Sequence, residues 1–217
     1  MKLSFKLYSA VYFLACFVSL FYIDTEDDFL EMILKISSLT FLAFLYISVS
    51  KKINYWYILI LMCSIASDAF FIFDPDFLRE GVYLVLVNRF LYFIILKDTV
   101  LGLKFKYLRN YIIPGFFLFV IISYLLSPYL KDMMNVVFVI CFFNISLIVV
   151  AYFHFLKRDD RQNRFFFLAV FLIGIADFLL AFNKYLEYNL IMVIIYTVMY
   201  YIARYLICLS IIEEKQY

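Results

Sequence analysis

Eight runs of about 20 apolar residues, each long enough to span a bilayer, fill most of this 217-residue chain, and they dictate an all-α fold. Backbone N–H and C=O groups placed in hydrocarbon have no water to bond, so each run must satisfy its own groups within a helix. The predicted spans are 7–23, 32–50, 55–73, 81–97, 111–130, 133–153, 165–182 and 190–211. Their connections are short, which predicts one integral membrane domain over residues 1–217 with no soluble domain beside it. Span 81–97 stands near the lower length limit for a crossing.

Charge fixes the expected orientation. With the N-terminus inside, the cytoplasmic loops hold 13 of the 19 Lys and Arg: Lys2, Lys6, Lys51, Lys52, Lys97, Lys104, Lys106, Arg109, Lys157, Arg158, Arg161, Arg164 and Lys215. The outer side holds Arg79, Lys131 and Lys184, and the first outer loop, Asp24 to Glu31, carries five acids and no base. The positive-inside bias therefore predicts N-in and C-in, and an even number of spans agrees. The basic start of the first span is followed by no small-residue cleavage site, so it reads as a retained helix.

Five ionisable residues fall within the spans: Lys35, Asp68, Arg89, Asp177 and Arg204. A charge at the bilayer centre costs at least about 2.5–3.5 kcal/mol, so such residues face the protein interior, pair, and mark sites. Asp68 and Asp177 each lie five residues before the predicted outer end of a span that runs outward. At about 1.5 Å per residue this puts both carboxylates roughly 7–8 Å below the outer surface. Lys35 comes out at a similar depth, Arg89 near mid-membrane and Arg204 nearer the cytoplasm. The expectation is an outward-facing pocket with two acids and a lysine near its mouth and two arginines beneath.

The same residues suggest an internal repeat. Ile65-Ala66-Ser67-Asp68 followed by Phe73 parallels Gly174-Ile175-Ala176-Asp177 followed by Phe182, and Arg89-Phe90-Leu91 parallels Arg204-Tyr205-Leu206. Four spans per half is an even number, so the repeat would be parallel, 4+4, about an axis along the membrane normal.

Other chemistry is scarce. Cys16, Cys63, Cys141 and Cys208 all fall in spans without CxxC spacing and read as packing residues. His154, the one histidine, stands at a cytoplasmic span end, where an interfacial role is the simpler reading. Without a two-His motif, a phosphate loop or a nucleophile elbow, nothing points to a metal, an organic cofactor or nucleic acid. Pro75 falls in a loop, Pro114 near a span start and Pro128 near a span end. Transporters tend to break helices at mid-membrane with such residues, and four Gly and three Pro leave little to break them with.

At its charged positions the chain resembles the YhhN-like membrane proteins, which include the lysoplasmalogenases. Ser67-Asp68, a span opening at Gly81 with Tyr92 within it, and Ala176-Asp177 followed by Phe182-Asn183 are similar to motifs of that family in order and spacing. So are Tyr196 with Ala203-Arg204-Tyr205-Leu206-Ile207, and Leu34-Lys35-Ile36, which keeps only the lysine of a Thr-Lys-Pro. Two positions depart from the family: Arg89 stands where His is common and Arg204 where Gln is. Both substitutions place a permanent cation that cannot relay a proton.

What the resemblance implies is hydrolysis of the vinyl ether of a lysoplasmalogen to a fatty aldehyde and a glycerophospho-headgroup, in a bacterial cytoplasmic (inner) membrane. Asp68 and Asp177 would be the catalytic carboxylates, one donating a proton to the alkene carbon and one directing water. Lys35, Arg89, Arg204, Tyr92 and Tyr196 would bind the membrane lipid or lysophospholipid substrate, the arginines as bidentate partners of its phosphate. The residues themselves leave other readings open. An Asp beside an Arg makes a poor proton donor, and pairs Asp68–Arg89 and Asp177–Arg204 with Lys35 left over would be structural glue. A non-enzymatic lipid-binding or transport protein with a charged central site is the remaining alternative.

Overall fold

Helices dominate because every apolar run closes its own hydrogen bonds. A computed structural model describes residues 2–25, 27–50, 52–73, 77–96, 105–130, 133–158 and 160–213, with the side chains of residues 2–3 and 105–108 excepted. Among the described residues there are eight α-helices and no strand: α1 Lys2–Ser19, α2 Asp28–Val49, α3 Tyr55–Ile72, α4 Leu78–Ile95, α5 Phe105–Leu130, α6 Met134–Lys157, α7 Arg161–Tyr185 and α8 Leu190–Glu213. This is the all-α, polytopic architecture the apolar runs predict. Lys51, Lys97, Lys104, Lys131 and Lys215 of the charge pattern, Glu26 of the acidic loop and Pro75 lie outside the described residues, as do the side chains of Lys2 and Lys106.

Seven of the eight helices are long and apolar enough to cross a membrane; α4 is the exception. Its 18 residues include Arg79, Glu80 and Arg89, three charges in a helix of minimal length.

The helix ends revise several expected boundaries. α2 begins at Asp28, so Asp28 and Glu31 leave the acidic loop and occupy the helix's first turn, where carboxylates suit the positive end of the helix dipole. α5 starts six residues earlier than its apolar run, which sets Pro114 and Pro128 inside the helix. A helical proline strips the carbonyl four residues back of its bond. For Pro128 that is the Tyr124 carbonyl, and the Ser127 hydroxyl donates to it instead at 3.1 Å. α7 runs on to Tyr185, so Asp177 stands eight residues from its end, not five, and roughly 12 Å in by helical rise. Asp68 keeps its expected place, five residues before Phe73 at the α3 C-cap.

Side-chain caps fix the helix starts. Asn54 accepts from the Trp56 N–H at 3.1 Å and Asp160 from the Asn163 N–H at 2.8 Å, each satisfying an amide that the first turn leaves without a partner. Asn183 on α7 accepts the Asn189 N–H at 2.6 Å, and Asn189 in turn accepts the Ile191 N–H at 2.9 Å at the start of α8.

The chain divides into two compact units, Met1–Asn88 with Ile211–Tyr217, and Arg89–Ser210, and the boundary falls inside α4. In the first unit α1 packs on α2 and α2 on α3. Tyr12, Leu39, Leu42, Leu45 and Tyr46 are wholly buried there. Tyr46 meets Tyr57 edge-on at 4.8 Å, and its hydroxyl accepts the Asn54 N–H at 2.6 Å. α3 and α4 are tied by Asn88, whose amide donates to Ser64 Oγ at 2.8 Å. Gly81 admits the Phe71 ring so closely that a Cβ would lie 2.7 Å from it.

In the second unit α5 packs on α6 and α6 on α7. Small residues allow the approach. Gly115 on α5 would set a Cβ 3.0 Å from Val149, and Gly174 on α7 would set one 2.7 Å from Ile148 Cδ1. With no hydrophobic drive between helices in lipid, close packing of this kind is what holds them.

Candidate functional site

A polar cluster forms in the second unit around one carboxylate. Asp177 projects from α7, flanked by fully buried Ala176 and buried Ile173 on the same helix. Arg89, in the α4 segment of this unit, donates through Nε to Oδ2 at 2.9 Å and through Nη2 to Oδ1 at 2.6 Å and Oδ2 at 2.7 Å. Asn144 on α6 donates from Nδ2 to Oδ2 at 2.6 Å, and the Tyr200 hydroxyl on α8 donates to Oδ1. Three helices thus aim donors at one anion on a fourth. The side chains of Arg89 and Asp177 are 4% and 8% exposed, so the pair is shielded from solvent and its attraction little screened.

Aromatic rings extend the cluster. The Arg89 guanidinium lies 5.9 Å from the Tyr92 ring centre, and Arg204 lies 5.5 Å from the ring centre of Tyr200. Tyr196 meets Tyr200 edge-on at 6.3 Å. Four expected substrate-binding residues, Arg89, Tyr92, Tyr196 and Arg204, therefore gather around Asp177. Arg204 reaches it through Tyr200, not as the direct partner the sequence suggests. The expected pairing is corrected accordingly: Arg89, rather than Arg204, forms the ion pair with Asp177.

The other two residues belong to the first unit. Asp68 stands half-buried on α3 beside buried Ser67. Lys35 is not left over, because its ammonium pairs with Glu31 at 2.5 Å one turn earlier on α2, the spacing at which helical side chains meet. The shift of the α2 start is what brings that partner into reach.

Asn144 and Tyr200 were not anticipated. Asn144 is an amide in the middle of α6 with apolar residues on either side of it in sequence, a signal of the same kind as an in-span charge though weaker. Tyr200 sits four residues before Arg204 and four after Tyr196, the spacing of one helix face.

Asp177 and Asn144 also line a groove of about 380 Å³ between α5, α6 and α7, whose remaining walls are apolar apart from the thiol of Cys141. Its α5 side is open: Leu118, Ile121 and Leu125 are 48%, 56% and 52% exposed, within a helix long and apolar enough to cross the membrane. The carboxylate accordingly forms part of the inner wall of a slot that opens where hydrocarbon would be. Among the described residues no group of His, Cys, Asp and Glu stands close enough to hold a metal ion.

Residues 30–211 match the model of the YhhN family. No curated protein and no solved structure matches the chain.

Proposed function

Because the chain belongs to the YhhN family, we propose that it is a membrane hydrolase of the lysoplasmalogenase type, acting in a bacterial inner membrane. The observation that carries this reading is the buried Asp177 carboxylate set in the wall of an apolar groove open on its α5 side.

Hydrolysis of a vinyl ether adds a proton to the alkene carbon remote from oxygen and then water to the carbon bearing it. The resulting hemiacetal breaks to an aldehyde and the headgroup's hydroxyl. Asp177, engaged by Arg89, Asn144 and Tyr200, is suited to the acceptor's part: it orients the water and takes its proton as the C–O bond forms. Arg89 and Asn144 fix the direction of the carboxylate, and donors preset in a low-dielectric site cost no reorganisation during reaction. The proton donor in this reading is Asp68, on α3 of the first unit. Arg204, with Tyr92 and Tyr196, would supply the cation and rings for the phosphate end of the substrate, and Lys35 a further cation.

Saturation of Asp177 by five hydrogen bonds favours a second reading, a non-enzymatic lipid-binding protein in which this cluster only joins helices. The protein reconstituted in vesicles and given a lysoplasmalogen beside an ester lysophospholipid distinguishes the two. Aldehyde release from the first without fatty acid from the second supports the hydrolase. Absence of aldehyde, with Asp68→Asn and Asp177→Asn indistinguishable from the native chain, leaves the binding protein.

A further inference from the structure

Three helix ends of the second unit bring cations to one level. The Tyr111 ring on α5 lies 5.8 Å from Tyr152 and 6.0 Å from Phe153 on α6, and Phe155 on α6 stacks on Phe167 of α7 at 5.6 Å. These contacts fix the register of the three helices. Arg109, Lys157 and Arg164 stand just beyond them at the same end, each within one helical turn, and Arg158 and Arg161 lie between the last two in the chain. All of these cations are exposed. Among the described residues of 157–164 the one acid is Asp160, which already holds Arg158 Nε at 2.8 Å and the Asn163 N–H at 2.8 Å.

An apolar groove of about 230 Å³ starts from this end and runs between α5 and α6. Its first wall residue, Ile112, stands one turn from Arg109 on the same face of α5. The groove passes Gly115 and Val149 and reaches Phe119 and Phe142, whose rings meet edge-on at 6.3 Å. That is a run of roughly 10 Å by helical rise. Ser146 is its one polar side chain. Phe116 and Phe142, both in its walls, are 61% and 57% exposed, so the groove opens where hydrocarbon would be.

We propose that the groove and its cationic end form a seat for one anionic phospholipid of the bilayer, an acyl chain along the groove and the phosphate at Arg109. A chain that leaves the bilayer for an apolar groove gains no hydrophobic free energy, so the headgroup makes the selection. The Arg109 fork can take a phosphate through two bonds. The neighbouring cations favour a headgroup of net negative charge over a zwitterionic one, whose ammonium they repel. Tyr111 and Tyr152 lie between groove and cations, at the level where amphipathic rings meet headgroups. The positive-inside bias puts this end at the cytoplasmic leaflet, whose surface potential is negative. Neither Asp177 nor turnover enters the assignment, which stands apart from the hydrolase reading.

Photo-cross-linking tests the seat. The protein is placed in phosphatidylcholine vesicles with a minor fraction of phosphatidylglycerol that carries a diazirine midway along one chain. After irradiation, cross-linked peptides are mapped by mass spectrometry. Cross-links should concentrate on residues 112–119 and 142–149 and be displaced by unlabelled phosphatidylglycerol. Phosphatidylcholine bearing the same diazirine at the same fraction should give several-fold fewer there. Arg109→Gln, at an exposed position where folding is not in question, should lower the phosphatidylglycerol yield about fivefold, the worth of one cation at an anionic surface, and leave the phosphatidylcholine yield unchanged. Ser146→Leu fills the groove and keeps every charge. It should remove the cross-links from both segments, with circular dichroism and thermal unfolding matching those of the native chain.

Equal labelling by the two lipids, or an Arg109→Gln chain that labels like the native one, overturns the seat whatever becomes of Ser146→Leu. Phosphatidylglycerol cross-links spread over all lipid-facing helix surfaces, or persisting in a natively stable Ser146→Leu chain, overturn the groove and leave adsorption of anionic lipid to a basic surface.

Discussion

Replacing Asp177 with Asn isolates the most consequential interaction in the second unit. The change preserves shape and removes the charge, leaving the Arg89 guanidinium, with a side chain 4% exposed, facing an amide. Arginine cannot shed its proton to escape. Removing one partner of a buried pair costs about 3–5 kcal/mol. Because Asn can still accept from Tyr200 or Asn144, the lower half of that range applies, about 3–4 kcal/mol. At 1.36 kcal/mol per factor of ten this is two to three powers of ten in the folded-to-unfolded ratio. Unfolding in mixed micelles with increasing denaturing detergent, followed by helical circular dichroism, measures it. Adding Arg89→Gln removes the stranded charge and should return about 1.5–3 kcal/mol, the coupling expected of contacting residues. If Asp177 also acts on substrate, the stability returns and aldehyde release does not. An Asp177→Asn chain within about 0.5 kcal/mol of the native one, the range of ordinary surface changes, would refute the buried-pair argument.

Tyr200→Phe keeps the ring beneath Arg204 and removes the hydroxyl bond to Asp177; it should cost about 0.6–2 kcal/mol, the worth of an interhelical hydrogen bond in lipid, in the same unfolding assay. Gly174→Ala should destabilise by about 1–3 kcal/mol through overpacking, and Ile148→Val, which deletes the Cδ1 methyl it would meet, should recover most of that loss. Reporters fused within Asp24–Glu31 should read outside and those within Lys157–Arg164 inside. Were α4 not to cross, the second reporter would read outside, so its sign tests both the orientation and the crossing of the one helix whose composition argues against it.

Hydropathy made the helices legible because each apolar run is also a hydrogen-bonding unit. Its edges were less so, since helices continue past hydrocarbon. The polar stretch Tyr107–Asn110 extends α5, and Asp28 and Glu31 prolong α2 toward its N-terminus. That second shift hid the Glu31 partner of Lys35. In-span charge marks Arg89 and Asp177 as residues that must be buried and paired, but not that they pair with each other. Two acids and two arginines permit more than one matching, and residues 88 apart in sequence meet only through tertiary packing. Asn144 escaped notice because a neutral amide perturbs an apolar run far less than a charge does.

The Arg89–Asp177 pair also orders events during synthesis. α4, with its three charges in 18 residues, leaves the ribosome while its compensating carboxylate is still 88 residues from being made. At about 5–20 residues per second that interval is roughly 5–20 s, long compared with local helix formation. For that time the guanidinium has neither the Asp177 carboxylate to receive it nor the Tyr200 side chain that bonds to that carboxylate. The Arg89 side chain waits for α7 to complete its bonds. A ribosome stalled before Asp177 would leave a chain whose fourth helix is tied to α3 through Asn88 and Gly81 while its Arg89 still lacks the carboxylate that completes the second unit.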